Sequence, residues 1–389
     1  MSSNTRRLAA MLAGMVVLSS LAVTAGTPAG AAGGPIGTTA VEFQPTDYPL
    51  CATGGSNRTI RYMVDRIVAN SPAAYYADGD HTDEDAPLYQ PAGAAERADL
   101  RAGLHALIQD NPATANQRLA DAGYAVCSGA IDSTFWRDLV LVYPVAGLGA
   151  TTTEGAPMLL LYPGDNGAKS VLSGPHLRFE TLVKEQILTA LSNPSHFTKG
   201  AVLSGTHRCN RLAEAPEEYQ GTTSVCGGSY RTSDMAHNVE TAFQDMHDVL
   251  RDEYPETFLV QVHGMSEHGI SVSRGANPGA GSADHPEDPI TRAHAHARVE
   301  LQDLLAAGGL TTEENLHYQN LTTCTPYTHS ANGVAAPVRQ LHCGTRNAQL
   351  DREVDNGSAD RFIHIEQSMY IRQHHAAYVR WAMYGLSND

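Results

Sequence analysis

Short apolar runs alternate with segments of helical periodicity from residue 139 onward. Each run has the length of a buried strand and is bounded by turn-forming residues. The runs span residues 139–143, 158–162, 200–204, 258–263 and 362–366. Between them apolar residues recur at helical spacing, as at Val183, Ile187 and Leu191. This alternation predicts an α/β fold with a mostly parallel central sheet and helices on both faces.

The region before these strands has a helical pattern. Leu100, Leu104 and Leu107 repeat at helix spacing, and Leu119 continues the pattern in a further segment. We therefore expect a helical N-terminal region at residues 33–135, followed by an α/β catalytic domain at residues 136–389.

The first 32 residues have the pattern of a secretory signal peptide. Arg6 and Arg7 precede a mostly apolar run from Leu8 to Val23, and small residues follow it. We expect residues 1–32 to be removed and the mature protein to be secreted. An uncleaved membrane anchor is the alternative, and the arginine pair leaves the Sec and twin-arginine routes of export open.

The composition limits the partners of the protein. The chain has 42% hydrophobic residues and a formal net charge of −16 at pH 7. The hydrophobic content is sufficient for a packed core. Nucleic acids and anionic membranes attract clusters of Lys and Arg, and the sequence contains no such cluster. We therefore expect no nucleic acid partner and, after processing, no membrane partner.

An even number of cysteines in an exported chain indicates disulfide bonds. Their order along the sequence favours three sequential pairs, although six cysteines permit about 15 connectivities. The expected pairs are Cys51 with Cys127, Cys209 with Cys226, and Cys324 with Cys343.

Three residues have the side chains that zinc prefers. His176 and Glu180 lie four residues apart in the stretch from Gly174 to Thr181, and His263 closes a later predicted strand. Histidine and carboxylate groups are common zinc ligands, so these residues form the candidate metal site. The alternative for His263 is a hydrogen-bonded structural histidine.

The last predicted strand carries a polar pair. With a period of two, Ile363 and Ile365 point to one side of the strand and His364 and Glu366 to the other. A carboxylate in such an apolar strand has a desolvation cost unless it is paired or takes part in chemistry. Glu366 is therefore the candidate general base, and His364 the candidate group that orients a partner or protonates a leaving amine. A buried carboxylate paired with Arg372 is the alternative.

A loop that follows the third predicted strand contains His207, Arg208, Asn210 and Arg211. Because guanidinium groups bind carboxylates through two parallel hydrogen bonds, these residues and Arg372 are candidate contacts for a substrate carboxylate. An ordinary surface salt-bridge loop is the alternative.

The ordered set of motifs resembles the zinc carboxypeptidase-like superfamily. Within it the chain is most similar to the N-formylglutamate amidohydrolase and poly-γ-glutamate hydrolase branches. The motifs are the Pro-His turn with its Glu-Thr pair, the Asn-Arg pair, the His-Gly strand end and the late strand with its glutamate, over about residues 138–375. The resemblance implies zinc binding by His176, Glu180 and His263, with Glu366 as base. In the carboxypeptidase turn the first His and Glu lie closer together than here.

These features predict a secreted zinc-dependent hydrolase of an amide or peptide bond, acting on a small molecule or peptide that bears a carboxylate. Two alternatives stay open. One is a metal-independent esterase or phosphatase-type hydrolase, although the sequence has no G-x-S-x-G nucleophile elbow. The other is a non-catalytic binding domain held together by disulfides.

Overall fold

The structure is a computed structural model, and all residues that it describes belong to one compact unit, Ala40–Asp389. It describes residues 47–51, 59–71, 89–132, 139–145, 157–162, 168–192, 198–210, 214–216, 220–221, 223, 225–266, 270–273, 321–322, 330–331, 334–335, 347–350 and 361–387.

The centre of the fold is a mixed sheet of nine strands within these residues, in the order β1-β2-β3-β5-β4-β6-β11-β7-β8. A separate two-stranded sheet is formed by β9 and β10. The strands are β1 (Tyr124–Gly129), β2 (Leu139–Pro144), β3 (Met158–Leu161), β4 (Ser170–Gly174), β5 (Gly200–Leu203), β6 (Phe258–Met265), β7 (Ile270–Ser273), β8 (Leu321–Thr322), β9 (Ser330–Ala331), β10 (Val334–Ala335) and β11 (Phe362–Ser368).

The middle of the nine-stranded sheet is parallel. Strands β5, β4, β6 and β11 pair in parallel with one another in that order, whereas β1, β2, β3 and β5 pair antiparallel in that order on one side and β7 pairs antiparallel with β11 on the other. The prediction of an α/β fold with a mostly parallel central sheet is therefore confirmed. The strands of the antiparallel flank, β1, β2 and β3, follow one another in the sequence, and β3 also pairs antiparallel with β5.

Helices cover both faces of the sheet. They are α1 (Ile60–Asn70), α2 (Ala94–Ile108), α3 (Pro112–Asp121), α4 (Val183–Leu191), α5 (Ala242–Glu253), α6 (Met369–His374) and α7 (Tyr378–Ser387). Apolar side chains of α1, α4 and α7 pack on one face, and those of α2, α3 and α5 on the other. Because side chains alternate along a strand, Leu141 packs with the first group and Val140 and Val142 with the second. None of the helices in the described part of the chain is long and apolar enough to span a membrane.

Six of the strands in the described residues were not expected from the sequence: β1, β4, β7, β8, β9 and β10. Strand β1 lies before residue 136, where the periodicity predicts helices, and pairs with β2 over its whole length. Its burial is nearly continuous instead of alternating, which hides the strand from a period-two pattern. The division of the chain at residue 136 stays a prediction.

Two of the three expected disulfides are confirmed. Cys51 is bonded to Cys127, 76 residues away, and Cys209 to Cys226, 17 residues away. The first bond ties the segment before α1 to β1, and the second closes the loop that follows β5. The expected pair of Cys324 and Cys343 lies outside the described residues.

Candidate metal centre

The candidate ligands gather at the carboxyl ends of the central parallel strands. His176 follows β4 directly, and His263 lies near the end of β6. Glu366 on β11 is the direct register partner of His263. In open α/β sheets this edge is where functional groups meet, because the loops after parallel strands converge there.

The four-residue spacing of His176 and Glu180 is bridged by one helical turn. The backbone N–H groups of Phe179 and Glu180 both donate to the carbonyl oxygen of His176, over 3.0 and 2.8 Å. This turn returns the Glu180 carboxylate to the imidazole, and Oε1 of Glu180 lies 2.8 Å from Nδ1 of His176. The wider spacing than in the carboxypeptidase turn therefore does not separate the two side chains.

His263 completes a group of three. Its Nδ1 lies 3.3 Å from the same Oε1 of Glu180, and its ring centroid is 4.9 Å from that of His176. The backbone N–H of Gly264 donates to Oε2 of Glu180 over 3.0 Å, which fixes the carboxylate from the other side. His176, Glu180 and His263 are all buried, and their ligand atoms lie within 4.8 Å of one another. The structure thus brings together the three residues that the sequence proposes.

Asp234 contacts the ring nitrogen of His176 that faces away from Glu180. Its Oδ1 lies 2.7 Å from Nε2 of His176, and its Oδ2 accepts hydrogen bonds from Nε and Nη2 of Arg208 over 3.0 and 2.8 Å. Burial alone raises the pKa of Asp234, but the charges of Arg208 and His176 outweigh it and hold that pKa well below its usual range. Asp234 is therefore an ionised acceptor at pH 7.

This role of Asp234 is not evident from the sequence. The Ser233-Asp234 pair is typical of a helix start, and Oδ1 of Asp234 does accept from the N–H of Ala236 over 3.2 Å. The capping hydrogen bond is therefore formed, and the same carboxylate also forms a hydrogen bond with His176. A helix-cap pattern alone gives no signal for the second contact, which joins residues 58 positions apart.

The donor set fits a metal ion. Because Asp234 is an acceptor only, the proton of His176 lies on Nε2, and Nδ1 directs a lone pair at Glu180. Two facing acceptors 2.8 Å apart are satisfied by a metal ion or by a second proton on His176. Tetrahedral zinc, with bonds of about 2.0–2.2 Å, sets its ligand atoms roughly 3.3–3.5 Å apart, and Oε1 of Glu180 lies 2.8 Å from Nδ1 of His176 and 3.3 Å from Nδ1 of His263.

The charges around the two side chains favour an ionised Glu180 and a protonated His176. Burial raises the pKa of Glu180, but the charges of His263 and His176 outweigh it and hold the pKa well below its ordinary value. Burial and Arg208 lower the pKa of His176, whereas Asp234 and Glu180 raise it more, so the net shift is upward. Without a metal, a second proton on His176 satisfies the same lone pairs.

The polar pair of β11 faces the same site. Nε2 of His364 lies 3.7 Å from Oε1 of Glu366, and the rings of His263 and His364 are 4.6 Å apart. His364 and Glu366 are 3% and 8% exposed, so both are largely removed from water. With His263 they form a second group of three possible ligands, adjacent to the first.

Arg372 packs over a glycine at the edge of the site. Its Nη1 donates to the carbonyl oxygen of Thr181, its Nε has no hydrogen-bond partner among the described residues, and the residue is 6% exposed. Among those residues no carboxylate lies within ion-pair distance of Arg372. The pairing of Arg372 with Glu366, considered from the sequence, is therefore not observed.

Replacing Gly264 by alanine is expected to destabilise the protein by about 1 kcal/mol, the low end of the usual cost of overpacking, because the guanidinium of Arg372 ends a flexible side chain and can shift. A Cβ atom at residue 264 would lie 2.7 Å from Nη2 of Arg372 and closer to Cζ and Nη1 of the same side chain. Urea denaturation measures the change. The matched control is Gly129→Ala, also on a strand, where a Cβ would meet its nearest neighbour at 3.5 Å. Equal stability of the two variants would contradict the packing argument.

The cation-rich loop after β5 is largely engaged with the protein itself. Arg208 pairs with Asp234, and Oδ1 of Asn210 accepts from the backbone N–H of Tyr89. Nδ1 of His207 accepts from the N–H of Cys209 over 3.1 Å, and burial, with a smaller effect of Arg208, lowers the pKa of His207 to about 4. Arg211 lies outside the described residues.

Comparisons with known proteins give little beyond this geometry. No protein-family model and no curated protein matches the chain. A crystal structure from Shewanella amazonensis SB2B, described as a candidate metallopeptidase, is 13% identical with a TM-score of 0.32 over 60% of this chain and 82% of its own. Another from Shewanella denitrificans OS217, with the same description, is 12% identical with a TM-score of 0.29 over 81% of this chain and 95% of its own. Both TM-scores lie below 0.5, so the chemistry of the site rests on its geometry alone.

Proposed function

We propose that the protein is a zinc-dependent hydrolase of an amide or peptide bond. The observation that carries the proposal is the buried convergence of His176, Glu180 and His263, with Asp234 fixing the proton of His176 on the nitrogen that faces away from Glu180. Two histidines and one carboxylate form a ligand set used by catalytic zinc sites, which keep a further position open for water or substrate.

The surrounding residues supply the remaining parts of a hydrolytic site. A bound zinc ion supplies Lewis-acid polarisation of a carbonyl and a lower pKa for water. Glu366 is paired in register with His263, so its carboxylate is held beside the ligands as a general base that accepts a proton from water. His364, 3.7 Å from Glu366, would pass a proton towards the leaving amine.

The substrate is expected to bear a carboxylate. Arg208 is occupied by Asp234, so Arg372 is the better placed guanidinium: it is buried, it binds one backbone carbonyl, and it pairs with no carboxylate of the described residues. A substrate carboxylate would bind the Nε side of the guanidinium, which has no hydrogen-bond partner among the described residues. The two disulfides fit an oxidising compartment, which supports the expectation of secretion.

Metal analysis of the purified protein tests the proposal. Wild-type protein should contain about one zinc per chain, and its turnover of an amide and peptide panel should stop with a chelator and return with zinc. His176→Ala should lose zinc and turnover together. His105→Ala is the matched control and should retain both, because it removes a partly exposed histidine of α2 that pairs with Glu253 of α5.

The opposite pattern would overturn the proposal. Zinc far below stoichiometric, with hydrolysis of esters or phosphates that is indifferent to chelator, would favour a metal-independent hydrolase. Ligand binding without turnover of any amide, ester or phosphate would favour a binding domain.

A further inference from the structure

We propose that Gln261 is the positioning residue that sets the tautomer of His263. Its own orientation is fixed by two neighbouring side chains, Gln349 and Asn347, each of which is held by hydrogen bonds to backbone groups and is called an anchor below. The inference rests on the metal centre proposed above and extends it to its outer contacts. Gln261 and His263 lie two residues apart on β6 and so share one face of the sheet. Oε1 of Gln261 lies 2.8 Å from Nε2 of His263.

The first anchor reaches Gln261 through Gln349. The side-chain NH₂ group of Gln349 donates to the carbonyl oxygen of Met235 over 2.9 Å and to Oε1 of Gln244 over 3.0 Å. A backbone carbonyl can only accept, so the amide of Gln349 cannot be reversed without losing this bond. Oε1 of Gln349 therefore faces Gln261 and accepts from its NH₂ group over 2.8 Å.

The second anchor reaches Gln261 through Asn347. Oδ1 of Asn347 accepts from the backbone N–H groups of Gln349 and Leu350 over 3.0 and 3.2 Å. A backbone N–H can only donate, so the NH₂ group of Asn347 must point away from these bonds. It donates to Oε1 of Gln261. Both anchors therefore require the same orientation of the Gln261 amide, with its oxygen towards His263.

The consequence for His263 follows from hydrogen-bond polarity. An amide oxygen accepts and cannot donate, so Nε2 of His263 must carry the proton. Nδ1 then holds the lone pair, and it is this nitrogen that lies 3.3 Å from Oε1 of Glu180. The tautomer required for a zinc ligand is thus set before any ion binds. Metal-binding histidines are commonly oriented by such a contact at the second nitrogen.

The two histidines differ in what orients them. His176 faces the ionised carboxylate of Asp234, whereas His263 faces a neutral amide. The amide defines the direction of the ring without adding a further buried negative charge beside Glu180 and Glu366. Gln261, Gln349 and Asn347 are 0%, 1% and 2% exposed, so water cannot replace the contact at low cost.

Zinc titrations of the purified, metal-depleted protein separate a positioning role from a structural one. Gln261→Met keeps the length of the side chain and removes the acceptor, and it should weaken zinc binding by about 10- to 100-fold. Gln261→Glu keeps an acceptor for Nε2 of His263, and it should restore zinc binding to within about threefold of wild type, as expected when the outer-shell acceptor is retained. The Glu variant should still lose stability, because its second oxygen faces the oxygen of Gln349.

The matched control is Gln186→Met. Gln186 is an equally buried glutamine whose amide exchanges two hydrogen bonds with Gln367 and does not contact the three proposed ligands. The Gln186→Met variant should lose stability, measured by urea denaturation, and keep the zinc affinity of wild type. Zinc affinity that follows stability across all three variants would overturn the inference.

Two further measurements distinguish the ways in which the inference can fail. If wild-type protein binds no zinc, the proposed function fails; if wild type binds zinc and Gln261→Met binds it equally well, only the role of Gln261 fails. Should Gln261→Met not fold, ¹⁵N NMR of histidine-labelled, metal-free wild type reads the tautomer directly, with His263→Asn assigning the signal. A proton on Nε2 supports the inference, and a neutral ring protonated on Nδ1 overturns it.

Discussion

Replacing Glu366 by glutamine is expected to lower kcat by about 10²- to 10⁴-fold, the contribution of a positioned general base. The amide of glutamine has the same shape but cannot accept the proton of water at neutral pH. Zinc content should stay at the wild-type level, because Glu366 is not one of the three proposed ligands. Steady-state kinetics on the best substrate of the amide panel, together with metal analysis, measures both quantities.

Glu185→Gln is the matched control for this experiment. Glu185 lies on α4 and forms an ion pair with Arg61, and its side chain is 40% exposed. The same change of side chain there should leave kcat unchanged. Loss of zinc from Glu366→Gln would assign the ion to His263, His364 and Glu366 instead, and full turnover would remove Glu366 from the mechanism.

Replacing Asp234 by asparagine is expected to destabilise the protein by about 3–5 kcal/mol, because it removes one partner of a buried ion pair and leaves the charge of Arg208 uncompensated. The carboxylate is fully buried, and the side chain of Arg208 is 13% exposed. Zinc affinity should also fall by about 10- to 100-fold, because the acceptor that orients His176 is weakened. Urea denaturation and zinc titration measure the two effects.

An exposed ion pair provides the comparison. Asp132 lies 2.7 Å from Nε of Arg61, and its side chain is 35% exposed. Asp132→Asn should cost less than about 1 kcal/mol, as is usual for pairs in contact with water. If Asp234→Asn were no more harmful than Asp132→Asn, the assignment of Asp234 as the partner of both His176 and Arg208 would be wrong.

The fold was predictable where apolar runs are long and bounded. The runs at residues 158–162 and 258–263 coincide closely with β3 and β6, because a strand covered on both faces is apolar along its whole length. The direction of the outer strands was not predictable. Strands β2 and β3 have the same apolar character as the central strands, so their composition does not reveal that they pair antiparallel.

The metal ligands could be proposed from the chemistry of their side chains and from the position of His263 at the end of a predicted strand, whereas β4, the strand that precedes His176, was not predicted. The carboxyl ends of parallel strands meet at one edge of a sheet, so His176 and His263 were expected to be close although 87 positions separate them. No such rule predicts the residues that orient these two histidines. Asp234 lies in a loop with a helix-cap pattern, and Gln261 occupies a strand position that the sequence marks only as a polar interruption.

The register between β6 and β11 has a consequence for redesigning the protein. His263 and Glu366 are paired through the backbone hydrogen bonds of adjacent parallel strands, about 4.8 Å apart. The separation between ligand and base is therefore a property of the sheet and does not depend on the length or composition of the chain that connects the two strands. Loops between them can be exchanged to alter substrate choice, as long as both strands keep their pairing.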